Sequence, residues 1–375
     1  MPQQCKLLLD NYTGQYTAGS PIQGRIILSL DSDITLRGLR ITLSCIEHTE
    51  WIATETYYDS EANEHKSRDT QFVGNTEVIS IKQWLYGDQH ATTNLSVGQH
   101  IYPFLINLQQ NIPSTYQCEK GSIYYKLTAT VDRPMALDYE DEMMIVVYSP
   151  IDLNFLARPE DLQPSSYSDE KTVCCWCCAQ GPITMDIELA KQTLIPGEHV
   201  EVKMRLTNMA NINVTGVSFE LKQIISYKVT DPSRDDKQES HILIDLKDVG
   251  LGAHGENTYI FNVTLPPNVV LPNFAQCSLF SVEYIYTATA KLPSTHTNLE
   301  VTMYPKVGHI PLGNRFGPSH YNPHPPIGGG AQPPLGWTNP SAPPLDEKQQ
   351  TMGYPEKVSG PNEVPPPSYE SLNMP

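Results

Sequence analysis

The residues best suited to specific recognition lie near the end of this 375-residue chain, in the tetrapeptide Pro366-Pro367-Ser368-Tyr369. Proline fixes φ, so a proline pair adopts a polyproline II helix at little entropic cost. Tyr369 follows Pro366 by three positions and falls on the same side of a helix with three residues per turn. This pattern fits the aromatic groove of a WW domain. It predicts WW binding by Pro366, Pro367 and Tyr369, against the alternative of a chance match in a proline-rich stretch.

A second short motif lies upstream, at Pro340, Ser341, Ala342 and Pro343. It has the P-[S/T]-A-P form that docks in the UEV domain of the ESCRT-I complex, where the Ala-Pro pair enters a groove. The alternative is again chance, because a segment rich in Pro, Ser and Ala yields near matches easily. The sequence alone leaves both interpretations open.

Four cysteines surround Trp176, at Cys174, Cys175, Cys177 and Cys178. Three interpretations stay open. A zinc site would need a second pair of ligands, and the sequence has no further C-x-x-C and no H-x-x-x-H. S-acylation next to Trp176 would help to hold the chain at a membrane. The third interpretation is plain packing near a lobe interface.

Catalytic chemistry has no visible basis in the sequence. The chain contains no G-x-S-x-G, P-loop, G-x-G-x-x-G or H-E-x-x-H motif, and its 11 histidines are scattered. The acidic run Asp138–Glu142 reads better as a solvated turn than as a metal site. We therefore expect no catalytic residues, no metal and no cofactor, and we predict that the chain is not an enzyme.

Charge and composition narrow the function classes. Acidic residues number 42 against 25 basic ones, for a formal net charge of −17. Such a chain repels phosphate backbones, which argues against nucleic-acid binding. No apolar run reaches the length of a membrane helix, and the start does not resemble a signal peptide. The isolated cysteines at 5, 45, 118 and 277 resemble small core residues, so we expect a reducing, cytoplasmic environment.

The elements that would carry these motifs are predicted to be strands. From residue 5 to about 304, short apolar runs alternate with polar residues and are broken by Gly, Pro, Asn and Asp, which is typical of a β-sandwich. Only the stretch from Leu153 to Leu162 suggests a short helix. Beyond Tyr304 the composition changes: residues 305–375 hold 17 of the 32 prolines. We predict that this tail is disordered.

An internal repeat is the strongest evidence for the fold. The segment Tyr16–Ser20 matches Leu194–Glu198 at an offset of 178, and Ile123–Thr130 matches Val282–Thr289 at an offset of 159. Two copies of one unit follow from these matches. Alternation places Ile123, Tyr125, Leu127 and Ala129 on one buried face. Gly19 and Gly197 are predicted to occupy equivalent tight turns that favour a positive φ.

The order and spacing of these motifs resemble the α-arrestins, the arrestin-domain-containing proteins. The likeness to the N-terminal lobe rests on Leu9–Asn11, Tyr16-x-x-Gly19, Gly24-x-Ile26 and Leu36–Leu39. The likeness to the C-terminal lobe rests on the cysteine cluster, Gly181–Ile183, Ile195–Glu198 and Ile310–Gly313.

The resemblance implies an all-β fold: two arrestin-type antiparallel β-sandwich lobes plus a disordered proline-rich C-terminal tail. The expected N-terminal lobe covers residues 5–150 and the expected C-terminal lobe residues 181–313. Between them, residues 151–180 are expected to form a linker that holds the cysteine cluster. Residues 314–375 form the tail, which carries both short motifs.

The resemblance also implies a function. It suggests a trafficking adaptor that recruits WW-domain HECT-type E3 ubiquitin ligases to transmembrane receptor or transporter cargo, for ubiquitination, endocytosis and sorting. We expect a cytoplasmic protein with peripheral membrane association, recruited to the plasma membrane and endosomes. Many α-arrestins carry two PPxY motifs, and the single one here lowers avidity for a ligase with several WW domains. The alternative is a scaffold for ESCRT-dependent budding, or for a redox or signalling protein, without ligase recruitment.

Overall fold

The chain forms a nearly all-β body. A computed structural model describes residues 4–61, 63–87, 90–175, 178–293 and 296–313. Among these residues, helix is confined to one turn of α-helix, α1 (Leu153–Leu156), and a 3-10 turn (Pro159–Leu162). No helix in this part of the chain is long and apolar enough to cross a membrane.

Twelve strands in the described residues form the first lobe. They are β1 (Gln4–Leu9), β2 (Tyr16–Thr17), β3 (Pro21–Leu30), β4 (Ile34–Leu36), β5 (Gly38–Asp59), β6 (Glu64–Gly87), β7 (Thr93–Leu95), β8 (Gly98–Asn107), β9 (Tyr116–Cys118), β10 (Gly121–Asp132), β11 (Tyr139–Ile145) and β12 (Val147–Tyr148). One sheet has the order β1-β3-β8, and the other has the order β11-β10-β5-β6. The inward side chains of both sheets meet in one hydrophobic core.

Ten strands form the second lobe in the part of the chain that the structure describes. They are β13 (Ser165–Cys175), β14 (Cys178–Leu189), β15 (Thr193–Leu194), β16 (His199–Asn208), β17 (Val214–Val229), β18 (Asp235–Leu251), β19 (Glu256–Thr264), β20 (Phe280–Lys291), β21 (Leu299–Met303) and β22 (Lys306–Val307). The sheet orders are β13-β14-β16-β19 and β18-β17-β20-β21. These orders repeat those of the first lobe, with β13 added at one edge.

The repeat extends to the short strands. In the first lobe β2 pairs in parallel with β12, and in the second lobe β15 pairs in parallel with β22. The predicted glycine turns follow these strands: φ is +84° at Gly19 and +81° at Gly197. Each turn is closed by the same backbone bond, from Ser20 N to Thr17 O and from Glu198 N to Ile195 O, both at 3.0 Å. The prediction of two copies of one sandwich is confirmed.

Alternation along the central strands also matches the prediction. Ile123, Tyr125, Leu127 and Ala129 are fully buried in β10. Their counterparts Tyr284, Tyr286 and Ala288 are buried in β20, while Val282 is partly buried and packs against both lobe cores. One strand in each lobe therefore supplies a continuous row of core side chains, as the period of two requires.

The stretch predicted as a linker, residues 151–180, contains more regular structure than the sequence indicates. The linker helix α1 and the 3-10 turn occupy its first part. From Ser165 onward the chain forms β13, which pairs antiparallel with β14 and joins the second lobe. β13 is an edge strand and is largely polar. A prediction based on alternating apolar residues therefore does not detect it.

Candidate functional site

The predicted recognition motifs fall outside the described residues. This holds for Pro366, Pro367 and Tyr369 and for Pro340–Pro343. Their assignments therefore stay predictions from sequence. The described body offers two other kinds of candidate site: the interface that joins the lobes, and exposed apolar elements that could contact a partner.

The cysteine cluster lies at the end of a hairpin. The backbones of Cys174 and Cys175 close β13, Cys178 opens β14, and Cys175 pairs with Cys178. The side chains of the cluster, and Cys177 as a whole, lie outside what the structure describes. Acylation, zinc binding and packing all stay open for this cluster.

The isolated cysteines occupy packing positions. Cys45 is fully buried, and Cys5 and Cys277 are partly buried against the first-lobe core. Burial raises the pKa of Cys5 and of Cys45 to about 12 and raises the pKa of Cys277 as well. All three are protonated thiols at neutral pH and therefore poor nucleophiles. Across the described residues, no cluster of three or more His, Cys, Asp or Glu side chains could hold a metal ion.

A buried carboxylate joins the two lobes. Glu47 is fully buried on the inward face of β5, two positions beyond Cys45. It accepts hydrogen bonds from the backbone N–H of Ser278, at 2.9 Å, and of Leu279, also at 2.9 Å. The hydroxyl of Ser278 donates a third bond at 2.5 Å. Three donors from the second lobe therefore compensate the carboxylate for its lost hydration.

The same face of β5 continues along the interface. Thr49 donates to the carbonyl of Lys228 at 2.6 Å, and the indole N–H of Trp51 donates to Asp235 at 3.1 Å. The ammonium group of Lys237 lies 5.1 Å from the centre of the Trp51 ring. One strand thus begins in the first-lobe core and ends in contact with the second lobe.

Further contacts fix the lobes beside this strand. Lys120 of the first lobe forms an ion pair with Glu239 of the second, and Tyr227 donates to the same carboxylate at 2.8 Å. The hydrogen bond from Lys120 lowers the pKa of Glu239. The backbones of Val73 and Asp231 exchange hydrogen bonds of 2.9 and 3.0 Å, as neighbouring strands do. The described interface combines backbone pairing, an ion pair and buried side chains.

Asn273 closes the interface at the start of the linker. Its side-chain amide donates to the carbonyl and the hydroxyl of Ser149, both at 3.1 Å. Its backbone carbonyl accepts from the backbone N–H of Ser114 at 2.9 Å. Both Ser149 and Asn273 are buried, so these bonds replace water in a closed polar site. Asn273 of the second lobe is therefore bonded to two separate segments of the first lobe, at Ser114 and at Ser149 just before the linker.

Two apolar elements extend into solvent. Beyond Trp51, β5 and β6 pair with each other as a two-stranded arm, stiffened by cross-strand pairs such as Arg68 with Glu55 at 3.1 Å. This arm exposes Ile52, Tyr57 and Tyr58. The loop of residues 133–138, between β10 and β11, exposes Met135 and Leu137 almost completely.

The loop of residues 133–138 is held in shape despite its exposure. The guanidinium of Arg133 lies 4.2 Å from the centre of the Tyr139 ring and donates to the Leu137 carbonyl at 3.2 Å. The Asp138 carboxylate accepts a hydrogen bond from the backbone N–H of Arg133 at 2.8 Å. Met135 has a φ of +58°, which an L-residue adopts at some cost. A loop that is rigid and apolar at its tip is a candidate binding element.

The roles of Glu47 and Asn273 were not predicted from the sequence. Glu47 interrupts an otherwise apolar alternating row, Ile41, Leu43 and Cys45, and that interruption was a readable signal of a buried polar contact. Asn273 carries no such signal, because its role depends on where the second lobe packs against the linker.

Comparison with known proteins matches both lobes to described domains. The domain described as "Arrestin (or S-antigen), N-terminal domain" matches residues 5–154, and the "Arrestin (or S-antigen), C-terminal domain" matches residues 179–312. The second match begins within β14, one residue after Cys178.

Similar proteins include Arrestin domain-containing protein 4 of Mus musculus, 22% identical over 290 residues, which cover 76% of this chain and 66% of the relative. Arrestin domain-containing protein 5 of Bos taurus is 23% identical over 294 residues, which cover 76% of this chain and 85% of the relative. Arrestin domain-containing protein 17 of Caenorhabditis elegans is 22% identical over 291 residues, 74% of this chain and 65% of the relative. The aligned part thus spans about two thirds of the length of two of these relatives.

Proposed function

The chain belongs to the arrestin family as an α-arrestin, and from this premise we propose that it is a non-enzymatic adaptor that recruits WW-domain HECT-type E3 ubiquitin ligases to membrane-protein cargo. The observation that carries the proposal is the tetrapeptide Pro366-Pro367-Ser368-Tyr369, which follows two arrestin lobes in the same chain. The lobes would hold cargo, and the tetrapeptide would bring the ligase. All bond-making chemistry would belong to the ligase.

The body has features suited to holding cargo. The lobes share a buried polar interface, so they present their surfaces in a fixed relation. Met135 and Leu137 project from the shaped loop of residues 133–138, and Ile52, Tyr57 and Tyr58 project from the β5–β6 arm. Cytoplasmic segments next to membrane spans are rich in Lys and Arg, and an acidic adaptor would attract them. We propose these elements as cargo contacts and the plasma membrane and endosomes as the place of action.

The ligase contact can be tested with one substitution. Tyr369→Ala removes the aromatic group that would fill the second pocket of the WW groove, and we expect the affinity for a ligase WW domain to fall at least about tenfold. Calorimetric titration of the full chain with the isolated WW domain measures this. Tyr354→Ala is the matched control, since it removes a tyrosine from the same segment next to Pro355. Binding at full strength by the Tyr369 variant would refute the proposal.

A second function is supported by a separate motif. Pro340-Ser341-Ala342-Pro343 could recruit ESCRT-I for vesicle budding without a ligase. A peptide spanning residues 335–348 should then bind a UEV domain, and the same peptide with Pro343→Ala should bind more weakly. No binding by the unmodified peptide at millimolar concentration would remove this candidate.

A further inference from the structure

The last described residues run beside the linker. The backbone N–H groups of His309 and Ile310 donate to the carbonyl of Ile151, at 2.7 and 3.1 Å. The N–H of Leu153 donates to the carbonyl of Ile310 at 3.0 Å, and Asp152 pairs with Ile310 in parallel. The chain therefore leaves the second lobe along the linker helix rather than away from it.

Packing and side-chain bonds hold this course. A Cβ atom on Gly308 would lie 2.8 Å from the side chain of the buried Leu153, so the two segments are in close contact. The Asn154 side chain donates to the carbonyl of Pro311 at 3.3 Å and accepts from the N–H of Gly313 at 3.0 Å. A turn with a φ of +89° at Gly313 wraps the chain around Asn154. The chain is therefore anchored to the linker up to Gly313.

Beside that point the linker exposes an apolar surface. Phe155 and Leu156 of α1 are 51% and 52% exposed, and Leu162 of the 3-10 turn is 40% exposed. Glu160, two positions before Leu162 in the same turn, is exposed. We call Phe155, Leu156, Glu160 and Leu162 the linker patch. It joins aliphatic and aromatic surface to a carboxylate.

The sequence after Gly313 carries complementary residues. Arg315 and Phe316 are the second and third residues after the anchored glycine. Three residues span up to about 10 Å when extended. Phe155 and Leu156 directly follow Asn154, to which Gly313 is bonded, so Phe316 starts close to them in the chain. A segment tethered so close has an effective concentration in the millimolar range or above. A second copy would need a much larger contact, because stable dimers bury at least about 1,200 Å² in total.

We propose that Arg315 and Phe316 dock on the linker patch, with Phe316 against Phe155 and Leu156 and Arg315 beside Glu160. This contact fixes where and in which direction the tail leaves the body. The segment that carries both tail motifs would then begin beyond residue 316, beside the linker. The inference does not depend on which ligase, if any, the tail binds.

Hydrogen exchange followed by mass spectrometry tests the docking on the full chain. The readout is the amides of Phe155 and Ala157, which donate to Asp152 and Leu153 at 3.1 and 2.8 Å. In Phe316→Ser we expect these amides to exchange about fivefold faster, because the single turn of α1 loses its apolar cover. Trp337→Ser, a matched aromatic loss farther along the tail, should leave them unchanged.

Two controls accompany this experiment. Amides of β10 must keep their protection in every variant, which shows that the body is folded. A chain that ends at Gly313 provides a second way to remove Phe316. Unchanged exchange in both the Phe316→Ser chain and the shortened chain would overturn the proposal. Protection that is lost on tenfold dilution of the unmodified chain would also overturn it, in favour of a second copy. Tyr369→Ala should leave this exchange unaffected, so a failure of WW binding is distinguishable.

Discussion

The two lobes share one topology but differ in how their cores are completed. Within the described residues, the first-lobe core includes six buried side chains that come from the second lobe: Ile225, Tyr227, Val229, Phe274, Leu279 and Phe280. The second-lobe core includes no residue before Ile151 of the linker. The second-lobe core is thus built without first-lobe residues, whereas the first-lobe core is completed by side chains of the second lobe. A duplicated sandwich need not be energetically symmetric.

The difference arises from the lengths and positions of equivalent strands. β5 continues past the first-lobe core and carries Glu47, Thr49 and Trp51 into the interface. In return, the start of β20 places the Phe280 ring edge-on against Tyr116 of the first lobe, and Tyr227, near the end of β17, packs edge-on against Phe280. The interface is therefore an extension of the first-lobe core, and a change there should affect the first lobe more than the second.

The largest expected effect comes from separating the lobes. Residues 151–313 alone should fold cooperatively, because this fragment keeps Ile151 in the second-lobe core, whereas residues 4–150 alone should not. Burying each of the six side chains contributes about 1.5–3 kcal/mol, so their combined loss is comparable to the whole stability of a domain. Circular dichroism melts of the two fragments would show this. A sharp cooperative melt for residues 4–150 would break the comparison.

Next comes a matched pair of phenylalanines. Phe280 completes the first-lobe core and Phe261 lies in the second-lobe core, and both are buried. Each Phe→Ala change should cost about 3–5 kcal/mol. Hydrogen exchange should show that Phe280→Ala exposes first-lobe amides, while Phe261→Ala spares them. Equal loss of first-lobe protection in both variants would mean that the lobes unfold as one unit.

Glu47→Gln should have a smaller effect. The glutamine amide group would face a backbone N–H of Ser278 or Leu279, so a donor opposes a donor and we expect a loss of about 2–3 kcal/mol. Glu77→Gln is the control, since exposed Glu77 accepts one bond from Ser44 at 2.7 Å and should change stability by less than about 0.5 kcal/mol. Urea unfolding measures both. Similar midpoints for the two variants would contradict the role assigned to Glu47.

The smallest effect concerns pH at the linker. Burial lowers the pKa of His309 from 6.5 to about 4, and its ring accepts from the Ile151 N–H at 3.0 Å. Between these pH values the unfolded chain binds a proton that the folded chain excludes, so stability is full above pH 6.5 and falls toward pH 4. His309→Asn keeps a hydrogen-bond acceptor but binds no proton in this pH range. We expect its free energy of unfolding to fall by about 2 kcal/mol less on acidification than that of the unmodified chain. An unchanged pH profile in urea unfolding would count against this assignment.

Much of the fold could be predicted from sequence because local patterns, the repeat and the alternation of apolar residues, determine it. The offset repeat located equivalent strands and the paired turns at Gly19 and Gly197, and alternation identified the buried row of β10. Contacts between the lobes were not predictable in this way. Asn273 and Phe280 look like ordinary loop and strand residues, and their roles depend on the relative placement of two units that no local pattern encodes.

For the recognition elements, the short motifs can be predicted from sequence alone, whereas the exposed surface of the body cannot. Tyr369 and its prolines are readable from sequence because a short extended motif carries its own geometry. The linker patch could not be found that way, because Phe155 and Leu156 resemble core residues until the structure shows them exposed. β13 was missed for the related reason that its polar residues conceal an edge strand.

The most direct test of the adaptor account measures cargo ubiquitination and cargo association in the same cells. A transmembrane cargo found to co-purify with the unmodified chain would be compared in cells expressing Tyr369→Ala or the control Tyr354→Ala. The account predicts that Tyr369→Ala strongly reduces ubiquitination while cargo still co-purifies with the adaptor, and that Tyr354→Ala changes neither. Undiminished ubiquitination with Tyr369→Ala, at equal expression, would contradict ligase recruitment through the tail.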